Sequence, residues 1–313
     1  MGTNGLLLLH KAPGLTSFES LKVIKKSLST GKVGHTGTLD KFASGLLLVL
    51  IGKALKLSPW FSYCDKEYLG QIRFGIETDT LDPEGKIISE AEIPSREIIE
   101  AVLPNFRGNI LQEPPAYSAI HIDGKRAYEL SRQGKPPEMK KRPVTIHELE
   151  FNSWAPPFAE IRVSCSTGTY IRSLARDIGR AAGSCAHLSG LERTRIGGFS
   201  LSEAYDPSGH LDPIDTESSA VAEALGPIDQ GVFDALGLPY IYADQELVRS
   251  LSQGQALSGL IRKGLLRNLP SAPALGVFGK EKRELIAVLE QKLEQKLEQK
   301  TGNWSYGHVF ANP

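Results

Sequence analysis

Long apolar runs are missing from this chain of 313 residues. The longest, Leu46 to Ile51, is six residues, against about 20 needed to cross a bilayer as a helix, so no helical membrane span is expected. The Leu6 to Leu9 run has no basic region before it and is too short for a signal peptide, and Leu6 breaks the myristoylation pattern that Gly2 begins. Cysteine is scarce: Cys64, Cys165 and Cys185 are odd in number and form no C-x-x-C pair, so a reduced, cytoplasmic protein without structural zinc is the simplest reading. There is no G-x-G-x-x-G fingerprint, Walker loop or zinc-ligand spacing, and hence no sign of a nucleotide cofactor or a metal.

Net charge is also absent, with 36 Lys+Arg against 36 Asp+Glu. That zero hides an asymmetry. Residues 1–200 hold 26 cations against 21 acids, and residues 201–313 hold 10 against 15. Between Gly124 and Arg142 lie Lys125, Arg126, Arg132, Lys135, Lys140, Lys141 and Arg142, with only Glu129 and Glu138 to offset them and Tyr128 interleaved. Such a segment suits RNA, its cations neutralising phosphates and its aromatic stacking on an unpaired base; a solvated basic loop has the same composition.

What is present is a mixture of strand and helix patterns without regular alternation, which favours an α+β domain over a doubly wound sheet. Gly5–Leu9, Leu46–Ile51 and Tyr68–Ile76 read as strands. Ile161, Val163 and Cys165 alternate with polar residues in a fourth. Phe18, Leu21, Ile24 and Leu28 fall on one face of a helix capped by Thr16 or Ser17. Ile171, Leu174, Ala175, Ile178 and Ala182 predict another, with Thr169 as cap and Gly183 as stop. Arg172 then sits in the first turn, where the helix dipole disfavours a cation. Either a nearby carboxylate holds it, or it points to solvent. Around 206–228 the chain reads as a connection with one short helix at 220–225. Beyond it Leu238–Tyr242, Ala274–Phe278, Leu285–Leu289 and His308–Phe310 suggest a small, mainly β domain. Leu-Glu-Gln-Lys occurs three times between Leu289 and Lys300 and reads as a helical or mobile excursion within a hairpin, too short for a coiled coil.

The segment Gly34-His35-Thr36-Gly37-Thr38-Leu39-Asp40 places one carboxylate between Gly37 and Gly45 just ahead of the most apolar strand. A loop at the edge of a rigid scaffold is a place for a reactive Asp. A turn-closing or capping Asp has the same local sequence.

Taken together, five blocks resemble the TruB-type pseudouridine synthases, the family of the bacterial tRNA pseudouridine-55 synthases. They are Lys11 with Gly14, Thr16 and Ser17; Gly34 to Asp40 with Gly45; Arg73, Gly75, Thr78 to Thr80, Asp82 and Gly85; Gln112 to Gly134; and Cys165 to Gly179 trailed by His187, Leu188, Leu191 and Arg193. Lys41 departs from the family's proline, Pro13 lies one place late, and His121 replaces a common Lys. The resemblance implies a pseudouridine-synthase fold, α+β, with a mixed, mainly antiparallel central sheet flanked by helices. It further implies a catalytic domain over 1–234 with a thumb-like RNA-binding insertion at about 110–145, and more weakly a PUA-like RNA-binding domain over 235–313.

It also implies the chemistry. Uridine becomes pseudouridine when the N1–C1′ bond breaks and the ribose rejoins the base at C5, which needs an ionised carboxylate and no cofactor. The family assigns that carboxylate to Asp40, kept ionised by Arg172, with Tyr68 stacking on the flipped uridine. Tyr170, Leu191 and Ile51 are implied as walls of the base site. His35 is implied to meet the RNA loop, a plain structural His being the rival, and Lys11, Lys125, Arg126 and Arg132 to contact RNA. The implied partner is the T-arm and T-loop of tRNA, bound by a monomer that can also assist tRNA folding. The alternatives are a non-catalytic tRNA chaperone and a guide-RNA-dependent, dyskerin-like subunit. Dyskerin-like proteins carry extra N-terminal sequence, whereas here the first motif begins within ten residues of Met1, which favours a stand-alone enzyme.

Overall fold

The run Leu46 to Ile51 buries both faces of its strand, and the rest of the architecture forms around it. The structure is a computed structural model that describes residues 4–122, 124–207, 215–267, 269–292 and 303–310. β1 (Gly5–Lys11) and α1 (Leu21–Ser27) precede β2 (Val33–His35) and β3 (Ser44–Ile51). α2 (Ser58–Ser62) leads into β4 (Lys66–Phe74), the hairpin of β5 (Ile76–Thr78) with β6 (Ile87–Glu90), and α3 (Arg96–Val102). β7 (Gly108–Gln112), the hairpin of β8 (His121–Ile122) with β9 (Lys125–Arg126), and α4 (Ala127–Arg132) come before the long pair β10 (Arg142–Ala155) and β11 (Phe158–Cys165). α5 (Ile171–Ala181), β12 (Ala186–Ile196), β13 (Phe199–Ser200), α6 (Asp215–Ala224) and α7 (Gln230–Ala235) follow. The C-terminal part holds β14 (Tyr240–Ala243), α8 (Gln245–Ser252), α9 (Leu257–Arg262), β15 (Ala274–Gly279), β16 (Leu285–Lys292) and β17 (Asn303–Val309).

The main sheet runs β1-β3-β12-β4-β11-β10-β7, with β2 on β3 and β13 on β12. Only the β12–β3 pairing in it is parallel. This is the α+β, mainly antiparallel sheet that the resemblance implies. In β3, Leu46, Leu48 and Leu50 point to one side, against Phe61, Phe199, Phe233 and Phe278. Leu47, Val49 and Ile51 point to the other, against Leu7, Leu9 and the α1 residues Leu21 and Ile24. The two-residue period of the strand sorts one apolar run into two cores.

The second sheet has the order β14-β15-β16-β17. Its Ala274, Phe278 and Val288 enter the core that holds the even leucines of β3. Phe233 of α7 meets Phe278 edge to face at 5.2 Å in that shared core. Residue 234 therefore lies inside a helix that joins the two sheets.

Several local features differ from the sequence-based expectations. Phe18 does not join the apolar face of α1 but is 63% exposed, with Lys25 Nζ 4.6 Å from its ring centre. Thr169 does not cap α5; its hydroxyl donates to Ser166 O at 2.9 Å, and Tyr170 is the N-cap. Ser17 does not cap α1, because its hydroxyl is spent on Leu39. The strand expected over 68–76 divides at Gly75, whose φ is +86°. The helix expected at 220–225 begins already at Asp215. The C-terminal part is less purely β than expected, since α8 and α9 bury Leu247, Leu251, Leu257 and Leu260 against its sheet. The first Leu-Glu-Gln-Lys unit is the end of β16, paired with β17 as far as Lys292 opposite Asn303; the other two units lie outside the described residues. No helix among the described residues is long and apolar enough to cross a membrane.

The parallel crossing depends on one glycine. Gly45 has φ +108° and pairs with Arg193, and a Cβ there would run into the Arg193 backbone N and O. Gly45→Ala is expected to cost at least about 2 kcal/mol through strain and displaced backbone. Urea unfolding checks this, an unchanged midpoint counting against it.

Candidate active site

The loop from Thr36 to Ala43 connects β2 to β3, and Leu39 and Ala43 anchor it in the core beneath α5. Its carbonyls are held one by one. Lys11, wholly buried, donates from Nζ to Ala43 O at 2.5 Å, Ala12 O at 3.0 Å and Lys41 O at 3.4 Å. The Ser17 hydroxyl donates to Leu39 O at 3.1 Å and accepts from Leu39 N at 2.9 Å. Arg193, 2% exposed, donates from Nε to Leu46 O at 2.8 Å, from Nη2 to Gly37 O at 3.2 Å and from Nη1 to Thr38 O at 3.5 Å. Gly14 N donates to Lys41 O at 2.8 Å. A loop fixed at this many points gives Asp40 one direction.

That direction is toward Arg172. Nη2 donates to Asp40 Oδ1 at 3.1 Å. Nε lies 2.8 Å from Oδ2 as an ion-pair contact, off the line of a hydrogen bond. The far side of the guanidinium is also occupied: Nη1 donates to Asp82 Oδ2 at 3.1 Å and Thr80 O at 2.9 Å, and Nη2 to Tyr117 O at 3.1 Å. Asp82 is fixed in turn, its Oδ1 accepting from Thr80 Oγ1 at 2.5 Å and Glu84 N at 3.0 Å. Arg172 stands at the second position of α5, against the helix dipole. Two carboxylates and two carbonyls outweigh that dipole.

The Asp40 side chain keeps 37% of its surface open while that of Arg172 keeps 7%. Burial pushes the Asp40 carboxyl above its ordinary range, and the Asp82 charge adds to the rise. Arg172 and Lys11 act the other way. Burial thus outweighs the ion pair that the resemblance implies would keep Asp40 ionised.

The start of α5 is joined to the segment before β8. Tyr170 N donates to Gln112 Oε1 at 2.8 Å, and Gln112 Nε2 donates to Tyr170 O at 3.1 Å. Ser173 Oγ donates to Glu113 O at 2.8 Å. Tyr68 is 9% exposed; burial pushes its phenol up, while the Arg193 charge pulls it down. The Tyr170 phenol is likewise pushed up by burial and pulled back by the Arg172 charge. The Asp40 charge reaches both phenols. Leu191 packs half-buried against the same core as Tyr68.

Residues 25–171 match the family described as TruB family pseudouridylate synthase (N terminal domain). The tRNA pseudouridine synthase B of Borreliella burgdorferi (strain ZS7) is 50% identical over 204 residues, 64% of this chain and 72% of that protein. This chain belongs to the TruB family of pseudouridylate synthases. The tRNA pseudouridine synthase B of Francisella tularensis subsp. tularensis (strain WY96-3418) is 46% identical over 208 residues, 66% of this chain and 69% of that protein. Among solved structures, one from a Cbf5-Nop10-Gar1 complex superposes with TM-score 0.67 at 26% identity, covering 98% of this chain and 84% of that one.

Within this TruB-family fold, the structure brings Asp40, Arg172, Tyr68, Tyr170 and Leu191 together, leaves Ile51 out and keeps Lys11 beneath the Asp40 loop. Ile51 has no exposed surface and faces Leu7, Leu9 and Val33, because its odd position in β3 points it into the α1 core; it is not a wall of the base site. Lys11 is not an RNA contact, because its ammonium is enclosed by loop carbonyls. His35 is half-buried at the end of β2, with Nδ1 buried and unpartnered. Burial and Arg193 lower its pKa, which favours the neutral imidazole. Lys125, Arg126 and Arg132 are exposed on β9 and α4, with the Arg132 and Arg126 guanidinium carbons 5.3 and 6.0 Å from the Tyr128 ring centre.

Three residues of the site carried no role in the sequence analysis, Asp82, Arg193 and Gln112, and a fourth, Ser17, carried only that of a helix cap. Each lies in one of the family blocks, but its partner is a backbone or side-chain atom remote in the chain.

Burial lowers the Lys11 pKa from 10.5 to about 8. The unfolded chain therefore binds a proton that the folded chain releases between those values, and stability rises with pH across that window. Replacing Lys11 by Met removes this term. Urea unfolding at pH 8 and pH 10 should show the parent gaining on Lys11→Met as pH rises. A constant difference between the two proteins would show that Lys11 does not titrate there.

Proposed function

We propose that this protein is a tRNA pseudouridine-55 synthase, which isomerises a uridine of the T-loop with Asp40 as its catalytic carboxylate. The observation that carries the proposal is the pairing of both Asp40 oxygens with a buried Arg172 that is itself tied to Asp82. A carboxylate open on one side and fixed on the other suits attack at the sugar or removal of its C2′ proton. The isomerisation moves a bond within one nucleotide: the N1–C1′ electrons return to the base, C5 bonds to C1′, and the C5 proton leaves. No electron leaves the substrate.

The target uridine must leave its stack, and flipped bases are held between aromatic or apolar side chains. Tyr68 and Leu191 take that part here, and Tyr170 borders the same space. The names of the relatives, both tRNA pseudouridine synthase B, support tRNA as substrate. The basic β8–β9 hairpin and α4 supply phosphate contacts as a thumb-like insertion, and the C-terminal sheet with its helices acts as a PUA-like RNA contact. The protein works as a monomer in the cytoplasm without a cofactor, and its grip on the T-arm also assists tRNA folding. A partner-dependent subunit is the second reading, favoured by the nearly full-length match to the Cbf5 chain. The two separate on one assay: the purified chain alone should release tritium from a tRNA transcript carrying 5-tritiated uridine.

Asp40→Asn should bind that transcript as the parent does and release no tritium; turnover near the parent rate removes Asp40 from the mechanism. Arg172→Lys should lose most of the activity, because a point charge does not reproduce the fork that spans two carboxylates. Full activity there would sink the ion-pair role.

A further inference from the structure

The turn before α1 lies against the Asp40 loop, and the helix leads away from it. Gly14 N bonds to Lys41 O and Ser17 to Leu39, so this segment is attached to the catalytic loop at two points. Leu21 and Ile24 take the inner face. Outside are Lys22 and Lys26, both exposed, with Lys32 just beyond the helix. Glu19 is the one acid between Gly14 and Lys32, and it is engaged by Thr16 N at 2.9 Å and Thr16 Oγ1 at 2.8 Å. Two large apolar side chains stand among these lysines, Leu15 at 44% and Phe18 at 63% exposure. A lysine face that serves only solubility gives no reason for an aromatic ring held open to solvent under Lys25.

The location adds to the chemistry. In the sheet order, β1 and β3, on which α1 packs, lie at one end, and β10 and β7, which bracket the β8–β9 hairpin in the chain, lie at the other, with β12, β4 and β11 between. Exposed cations thus accompany both ends of the main sheet.

We propose that Leu15, Phe18, Lys22 and Lys26 form a second RNA-binding surface. It holds the phosphodiester backbone of the same RNA whose uridine enters the site, and it rests on the RNA-isomerase function proposed above. The lysines neutralise phosphates, and Phe18 packs against an exposed base or ribose.

The test is a salt titration of binding. Affinities of the parent and of Lys22→Ala/Lys26→Ala for an unmodified tRNA transcript are measured from about 50 to 200 mM KCl, with thermal melts to verify folding. Loss of two phosphate contacts should weaken binding about tenfold near 0.1 M salt and make the log–log slope shallower by about 1.4 to 1.8. Phe18→Ala should weaken binding with the slope unchanged. The proposal is overturned if the double variant keeps both affinity and slope, or loses affinity at an unchanged slope. If the parent itself neither binds nor isomerises the transcript, the proposed function fails instead.

Discussion

The interaction on which the site depends is the buried guanidinium of Arg172. It joins three pieces of chain: the Asp40 loop, the Thr80 to Asp82 turn and the Tyr117 segment. Removing one member of such a buried pair leaves an uncompensated charge and costs about 3–5 kcal/mol. The geometry also explains an apparent defect in the sequence. A cation in the first turn of a helix opposes the dipole, and it is tolerated because the acids converge there from other parts of the chain.

Around that centre the protein uses basic side chains as internal fasteners. Lys11 and Arg193 donate to backbone carbonyls of the Asp40 loop and its flanks, and both are buried. The loop is therefore held by its hydrogen bonds, the kind of fixing that preorganises a side chain. The same arrangement separates two kinds of cation: those turned inward on carbonyls and those on β9, α4 and α1 that are open to an outside anion.

The sheet was largely legible in the sequence because β3 and β11 carry strong patterns, one continuously apolar and one alternating. The cation at the helix start pointed to a carboxylate partner for Arg172, and the family resemblance supplied Asp40 as that partner. Lys11 and Ile51 were misplaced for a common reason. A motif names a residue but does not say which way it faces, and a one-residue step along a strand reverses the side chain. Asp82 and Arg193 were seen as motif members only, since their work is done on partners distant in sequence. The short helices α8 and α9 escaped notice because they lack length and are held largely by packing on the C-terminal sheet, although Asp244 caps α8 by accepting from Leu247 N at 2.9 Å.

The hairpin of β16 and β17 has a consequence for how this chain can vary. Its strands are paired out to Lys292 and Asn303, and the residues that enter the shared core, Phe278 and Val288, lie well before that point. Leu289, the first residue of the repeat, is itself buried in the core of that sheet, so the first Leu-Glu-Gln-Lys unit cannot change without disturbing the pairing of β16 with β17.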